Sequence, residues 1–377
     1  MKRALGDPAV NFFISVIGLV IIFIVLRELQ HIFIPLVISY FLFFLFEPLN
    51  KFLIDKKIPS ALTIFVDLII MIGVIWGISR IIIESFSRFG EEITLYEQKL
   101  NSIISSTAVS VGIQDPFFTH FNLAGILEGL DYGGIAGTFF SSTLSIFSTT
   151  FFVLFFFIFI SIGHKNLYEV IKKRFVERHI KVSLKKIKKE FKKQEETENE
   201  SLNTLDNLKL SRESQIENTF KDITAQVQRY IATKLMLSLL TGVLAGFILW
   251  IFGVDFFIVW AVFAFLLNFI PNIGSAIAVI LPALMTLVQF ESFGYAILVT
   301  AILVVIQTLI GNGLEPKIFG DRLGLNPLVI LLSLLLWGYI WGIVGMFLSV
   351  PLTAVAKIIL SRADSENLNF ISDLMGN

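Results

Sequence analysis

The chain has 377 residues, of which 55% are hydrophobic and only 16% are charged, against about 25% charged in a soluble domain. Its 30 basic and 30 acidic residues balance, so net charge points to no highly charged partner. The absence of cysteine excludes disulfides, thiolate metal sites and cysteine nucleophiles. Because several apolar runs reach the ~20 residues that a helix needs to cross a bilayer, the sequence predicts an all-α polytopic membrane protein.

The N-terminal membrane region, residues 1–163, contains apolar runs that predict four spans, at about 10–26, 32–46, 60–83 and 139–162. The first run follows two basic residues as in a signal peptide, but its length and the lack of a small-residue cleavage site predict an uncleaved span. Residues 84–138 are richer in charge, and apolar residues at helical spacing within them predict an amphipathic helix outside the bilayer.

Residues 164–234 are predicted to be a cytoplasmic basic helical segment. Its apolar face leaves three alternatives: it lies on anionic lipid headgroups, packs on a neighbouring subunit, or belongs to a solvated helix. The lysines predicted to face the membrane surface are Lys172, Lys173, Lys185, Lys186, Lys188 and Lys189. Low hydrophobicity and few aromatic residues predict a flexible insertion at 194–219.

The C-terminal membrane region, 235–362, precedes a cytoplasmic tail, 363–377. It holds two uninterrupted spans, about 235–252 and 295–310, and two longer interrupted blocks, 254–290 and 326–360. The chain therefore has about eight membrane segments in all. Lys and Arg are concentrated in loops that one topology places inside, with both termini cytoplasmic and residues 84–138 outside.

The first interrupted block contains NFIPNIG at its middle. Each arm has about 17 residues, or ~25 Å, which is short of a ~30 Å bilayer core. Pro271 lacks an amide donor and Gly274 is flexible, so we predict a re-entrant hairpin that turns here. The unpaired backbone groups of such a turn must be buried in protein or face water. Asn268 and Asn272 are therefore predicted either to contact a solute or only to cap the broken helices.

The second interrupted block breaks at WGYIWGIVG. Gly274 precedes Pro282 by eight residues, and Gly342 precedes Pro351 by nine, so the two blocks can be aligned. With one crossing between them they would enter from opposite faces, and such inverted pairs mark a transporter's substrate site. The alternative is that each block forms two tilted ordinary spans joined by a tight turn.

The stretch from 229 to 362 resembles the AI-2E family of transporters, also called the autoinducer-2 exporter family. The resemblance rests on GVLAGFILWIFGV, LLNFIPNIGSAIAVILPAL, GNGLEPKIFGDRLGLNPLVILLSLLLWG and GIVGMFLSVPLTAVAKIIL. It implies a homo-oligomeric protein of the bacterial inner membrane that exports the quorum-sensing signal autoinducer-2. Some relatives resemble sodium/proton antiporters instead.

Ionisable residues inside a membrane are functional candidates. Asp67 lies within the third span, and its alternative is an interfacial pair with a nearby lysine. Glu315, in the family motif, is predicted to exchange a proton or cation with help from Asn312, or else to pair with Lys317 or Arg322. Gln307 is predicted to line the same path.

The leading hypothesis is a secondary or passive transporter that exports a small polar solute. The alternatives are a cation/proton antiporter, and a channel-like or scaffolding oligomer without coupled transport. The sequence has no phosphate-binding loop of the G-x-x-x-x-G-K-[ST] type, no H-E-x-x-H and no G-x-S-x-G, so we expect neither an ATPase nor another enzyme. We expect no cofactor, no metal and no nucleic acid partner; the expected partners are the lipid bilayer, a solute or cation, and further copies of the chain.

Overall fold

The computed structural model describes residues 8–119, 121–122, 145–164, 170, 198–319, 325–361 and 366–376. Over these ranges the chain is almost entirely helical and contains no strand. Seven of the described helical stretches are long and apolar enough to cross a membrane. The prediction of an all-α polytopic membrane protein is thereby confirmed.

The helices are α1 (Pro8–Glu28), α2 (Gln30–Asp55), α3 (Ser60–Val111), α4 (Pro116–Thr119), α5 (Ser145–His164), α6 (Glu198–Ile251), α7 (Phe257–Leu267), α8 (Ile273–Phe290), α9 (Phe293–Thr308), α10 (Glu315–Phe319), α11 (Pro327–Ser361) and α12 (Glu366–Leu374). A π-helical turn, Leu309–Leu314, joins α9 to α10. Helix α1 is not among the seven candidate spans, so its crossing stays a prediction.

The described helices divide into two compact units, each of which draws on both halves of the sequence. One unit comprises Met1–Ile64, Thr150–Ile231 and Pro351–Asn377, and the other comprises Phe65–Thr149 and Ala232–Val350. Within the first unit, Ser39 is fully buried and donates its hydroxyl to the Val153 carbonyl at 2.8 Å, which ties α2 to α5. The second unit contains the first interrupted block, the second block up to Val350, and the residues predicted to line the solute path.

The third span and the predicted amphipathic helix form one continuous helix, α3, of 52 residues. At 1.5 Å per residue it is ~78 Å long, more than twice the thickness of a bilayer core. Along its second half, Tyr96, Ile103 and Ala108 are buried, whereas Leu95 is 50% exposed. The helix continues because neither a proline nor a pair of glycines interrupts the sequence where the apolar span ends.

The predicted flexible insertion, 194–219, is helical from Glu198 onward, as the start of α6. Low hydrophobicity removes the capacity to form a core, but it does not remove helix propensity in a stretch rich in Glu and Leu. An i,i+4 pair between Lys221 and Glu217, at 2.8 Å, is of the kind that supports an exposed helix. The six lysines predicted to face the membrane surface lie outside the described residues.

Helix α6 packs closely against α7 through a G-x-x-x-G pattern, Gly242 to Gly246, which sequence reasoning overlooked. A Cβ added at Gly242 would lie 2.8 Å from the Ala261 carbonyl oxygen, and one at Gly246 would lie 2.7 Å from the Ala261 Cβ. Small residues of this kind let two membrane helices approach at backbone distance. The order of the contacts shows that α7 runs antiparallel to α6.

Candidate solute path

The first interrupted block is a helical hairpin, called hairpin 1 here, made of α7 and α8. Its two open ends are adjacent: the Gln289 side chain accepts a hydrogen bond from the Asp255 amide at 2.8 Å and donates one to the Gly253 carbonyl at 2.9 Å. The chain therefore returns to the level at which it left α6. Helix α7 has only 11 residues, or ~16 Å, too few to cross a bilayer core.

The tip of hairpin 1 is held by a buried amide. Asn268 is 6% exposed, ends α7, and donates from Nδ2 to the Ser238 hydroxyl at 3.0 Å. Ser238 is fully buried and lies in the candidate span Thr224–Ile251 of α6. The tip is thus bonded to a helix that is long enough to span the membrane, and the Asn268 side chain has a positioning role.

The return into α8 passes through a strained turn. Asn272 has φ 60° and ψ −53°, and the Ile273 amide donates to the Pro271 carbonyl at 2.6 Å, which together define a γ-turn of the rare, strained form. Strain of this kind is concentrated at functional sites. The Asn272 side chain is exposed and makes no cap hydrogen bond to α8. A Cβ added at Gly274 would collide with the Leu267 carbonyl oxygen, so only glycine fits where the arms cross.

The second interrupted block also reverses direction and is called hairpin 2, Pro327–Ser361. Its helical dihedrals are interrupted at Trp341 and at Gly342, which has φ 61° and ψ −141°. A Cβ added at Gly345 would collide with the Trp337 carbonyl oxygen, although residues eight apart in a straight helix are ~12 Å apart. By this contact Gly345 corresponds to Gly274, whereas Gly342, which spacing aligns with Gly274, supplies the positive φ of the turn.

The tips of the two hairpins are in contact. The Phe269 and Phe347 rings stack with their centroids 4.3 Å apart and their planes inclined by 22°. Phe269 lies in the turn of hairpin 1, and Phe347 lies five residues beyond the Gly342 turn. Two segments that the sequence separates by one uninterrupted span thus meet end to end.

A half-buried ion pair lies one helical turn from the tip. The Lys234 ammonium is 2.7 Å from Glu315 Oε1, and the two side chains are 4% and 26% exposed. Lys234 and Ser238 are four residues apart on α6 and so share one face. Glu315, which directly follows the π-helical turn, thus pairs with a residue of a distant helix, and Arg322, one of the two local partners considered, lies outside the described residues.

Three further residues were predicted to line the solute path: Gln307, Asn312 and Asp67. Gln307 is partly buried in α9, and Asn312 is exposed on the π-helical turn three residues before Glu315. Asp67 is fully buried in α3. Within the described ranges, no cluster of three or more His, Asp or Glu side chains is placed to hold a metal ion.

The base of hairpin 1 is attached to the second half of α3. The Tyr96 hydroxyl lies 2.8 Å from Asp255 Oδ2, and Lys99 donates to the Gln289 carbonyl at 2.5 Å. Asp255 is therefore not a side-chain cap of α7; the N-cap position is Phe256, which makes no side-chain hydrogen bond. Hairpin 1 is therefore fixed to α3 both before its first arm, α7, begins and near the end of its second arm, α8.

Sequence reasoning missed Lys234 and Ser238. Lys234 is the last charged residue before an apolar run and was assigned to the cytoplasmic segment. A signal was present, since Lys234, Ser238 and Thr241 recur at spacings of four and three, as polar residues on one helix face do. Only the position of hairpin 1 shows that this face is inside the protein.

The chain is similar to known transport proteins. The family model described as AI-2E family transporter matches residues 12–195 and 202–364. The chain is 49% identical to the putative transport protein YhhT of Escherichia coli over 132 residues, which are 35% of this chain and 38% of that protein. It is 47% identical to the AI-2 transport protein TqsA of Escherichia coli over 136 residues, 36% of this chain and 39% of that protein.

A full-length relationship is also found. A putative transport protein of Borreliella burgdorferi is 29% identical over 351 residues, which cover 92% of this chain and 86% of that protein. The local matches to the Escherichia coli proteins thus span well under half of each protein, whereas the family model covers nearly the whole chain. The chain belongs to the AI-2E transporter family.

Proposed function

We propose that this protein is a secondary or passive transporter of the bacterial inner membrane that exports a small polar solute, of which autoinducer-2 is the first candidate. The observation that carries the proposal is the contact between the tips of two helical hairpins at Phe269 and Phe347. Paired interrupted segments that enter from opposite faces are a recurrent way to build a substrate site near the bilayer midplane. The relative named AI-2 transport protein motivates the choice of solute.

The arm lengths support a re-entrant arrangement. Helix α7 and the first arm of hairpin 2, about 14 residues from Pro327 to Ile340, are ~16 Å and ~21 Å long. Between the hairpins, the stretch Phe293–Leu314 is long enough to cross the membrane, so the hairpins would open to opposite faces. With both termini in the cytoplasm, hairpin 1 opens to the outside and hairpin 2 to the inside.

The two tip asparagines have different roles in this proposal. The Asn268 amide is used in holding the tip on α6, whereas the Asn272 side chain is exposed and makes no cap. An exposed amide at the depth of Ser238 is costly in lipid, and so it has to face water, a solute or protein. We assign Asn272 to solute binding and Asn268 to positioning.

The test is efflux from proteoliposomes that contain the purified full chain and labelled autoinducer-2. We expect saturable efflux above that of empty liposomes, and a decrease of at least ten-fold in Asn272→Gly, which keeps the turn but removes the amide. Efflux equal to that of empty liposomes would rule out this solute. A conductance in planar bilayers far above carrier turnover would instead favour a channel-like oligomer.

Cation/proton antiport is the second candidate function, and the ion pair of Lys234 and Glu315 favours it. Ionisable residues at membrane depth commonly serve ion pathways or proton relays. Proteoliposomes that enclose a pH-sensitive dye should show proton movement upon addition of Na⁺ and none in Glu315→Gln. Proton movement that is unchanged in Glu315→Gln would remove this carboxylate from the mechanism.

A further inference from the structure

The two side chains of the Lys234–Glu315 pair differ in exposure. The carboxylate side chain is 26% exposed, whereas the ammonium side chain is 4% exposed. A small ion that arrives along the exposed side therefore meets the carboxylate first, with the lysine behind it. The contact joins Nζ to Oε1, which is one of the two carboxylate oxygens.

Stability alone does not account for the pair. Taking two charges out of water costs about as much as their attraction returns, and an apolar pair of similar size is often as stable or more so. The neighbouring residues Leu237 and Ile310 are buried and apolar, so such a pair would suit this environment. The charges call for a functional explanation.

Glu315 and the π-helical turn before it carry oxygen atoms of the type that hard cations prefer. Glu315 directly follows the turn, and Asn312, three residues earlier in it, has an exposed side-chain amide. Irregular helical turns often mark functional sites, and backbone carbonyls of interrupted membrane helices coordinate Na⁺ in several transporter folds. A carboxylate and an amide at this spacing supply the chemistry for a monovalent cation.

We propose that Lys234 is the resident counter-ion of Glu315, and that a monovalent cation coupled to transport binds Glu315 by displacing the lysine ammonium. The long, flexible lysine side chain permits the ammonium to move while its backbone stays in α6. Ser238, one turn along the same face, holds Asn268 of hairpin 1, so the exchange takes place ~6 Å along the helix axis from the tie that positions the tip. This inference rests on the proposed transport function and identifies its coupling ion.

Thermal unfolding of the detergent-purified full chain tests cation binding without requiring transport. Na⁺ replaces choline at constant ionic strength, and a ligand that binds only the folded state raises the melting temperature. In the wild type we expect a Na⁺-dependent rise with a measurable midpoint concentration. In Lys234→Met the midpoint should be at least ten-fold lower, because the internal competitor is gone, and in Glu315→Gln the Na⁺-specific rise should disappear.

An equal midpoint in wild type and Lys234→Met, or a persistent Na⁺ rise in Glu315→Gln, would overturn the proposal. Lys234→Arg serves where the methionine variant does not fold: it keeps the charge pair and competes more strongly, so the midpoint should rise several-fold, and an unchanged midpoint counts against competition. If Na⁺ stabilises the protein as described but no solute is exported, the transport proposal fails and the cation site stands. If export occurs without any Na⁺ effect, only the cation site fails.

Discussion

Hairpins 1 and 2 share a backbone device but differ in their side chains. In each, a glycine just beyond the turn lies against a carbonyl of the preceding arm: Gly274 against Leu267, and Gly345 against Trp337. In each, the first arm is too short to cross a bilayer. The shared feature shows that close crossing of the arms, and not a particular turn sequence, defines the hairpin.

The difference lies in what each tip presents. Hairpin 1 turns over several residues that include two amides and a strained backbone at Asn272. Hairpin 2 turns at Gly342, and Trp337 and Trp341 pack beside it with ring centroids 5.1 Å apart. We infer a division of labour in which hairpin 1 supplies polar contacts and hairpin 2 supplies an apolar surface against it, joined at the Phe269–Phe347 stack. The predictions below test that division, from the largest expected effect to the smallest.

The largest effect is expected where the hairpins are alike. Gly274→Ala and Gly345→Ala each place a methyl group on a backbone carbonyl, which cannot move without separating the arms. Each variant should lose at least ~3 kcal/mol in the free energy of unfolding. Thermal and denaturant unfolding in detergent, with the yield of monodisperse protein, measures this.

Gly294→Ala in α9 is the matched control, since a Cβ there meets no atom within 4 Å. It should be neutral or more stable by up to ~1 kcal/mol, because alanine favours the helix. If Gly345→Ala changes the free energy of unfolding no more than this control does, the two hairpins are not alike at this glycine. Hairpin 2 would then be a bent helix with room at the bend, and the resemblance to hairpin 1 would be superficial.

The sequence predicts the hairpins because it shows the lengths of the apolar arms and the helix-breaking residues between them. About 17 residues between polar boundaries, with Pro271 at the centre, leave few other solutions in a membrane. The contact that defines each crossing was not accessible: Gly342 and Gly345 are both plausible partners for Gly274 on spacing alone. Their roles differ because one supplies a positive φ and the other supplies space.

The pairing of Lys234 with Glu315 could not be predicted from the sequence, for another reason. Glu315 is a candidate from sequence as a carboxylate of the family motif just after a span, but its partner Lys234 is 81 residues away in the chain. Sequence spacing favours nearby partners such as Lys317, since local pairs are the ones that a pattern can reveal. Partners on different helices are set by packing, here by the close approach of α6 and α7 and by the π-helical turn.

The next effect concerns the amide that distinguishes hairpin 1. Asn268→Ala removes a buried hydrogen bond to Ser238 and should cost ~2 kcal/mol of unfolding free energy. Ser238→Ala should cost a similar amount, and the double variant should cost less than the sum, since both remove one interaction. Ser349→Ala in hairpin 2 is the control, because that hydroxyl bonds only the Met346 carbonyl of its own helix. Strict additivity of Asn268 and Ser238 would show that the amide does not fix the tip.

A smaller effect tests the contact between the tips. Phe269→Leu and Phe347→Leu each keep an apolar side chain but remove the stacked pair. The coupling energy of the double-mutant cycle should be ~1 kcal/mol, as for other aromatic pairs. Phe290→Leu, whose ring packs on Tyr295 at the base of hairpin 1, should be additive with Phe347→Leu. No coupling between Phe269 and Phe347 would mean that the two tips work separately.

The smallest effect on stability separates turn from solute at Asn272. Its γ-turn has φ 60°, where a Cβ is unfavourable and glycine is not. Asn272→Gly should therefore be more stable than Asn272→Ala, by about 0.5–1 kcal/mol, because glycine relieves the strained backbone. If Asn272 serves only the turn, the glycine variant should also transport at the wild-type rate. The division of labour between the hairpins predicts the opposite: both variants lose export alike, because both lack the amide, whatever their order of stability. Melting temperatures and initial efflux rates from the same preparations decide between these outcomes, since strain affects the first measurement and a missing solute contact affects the second.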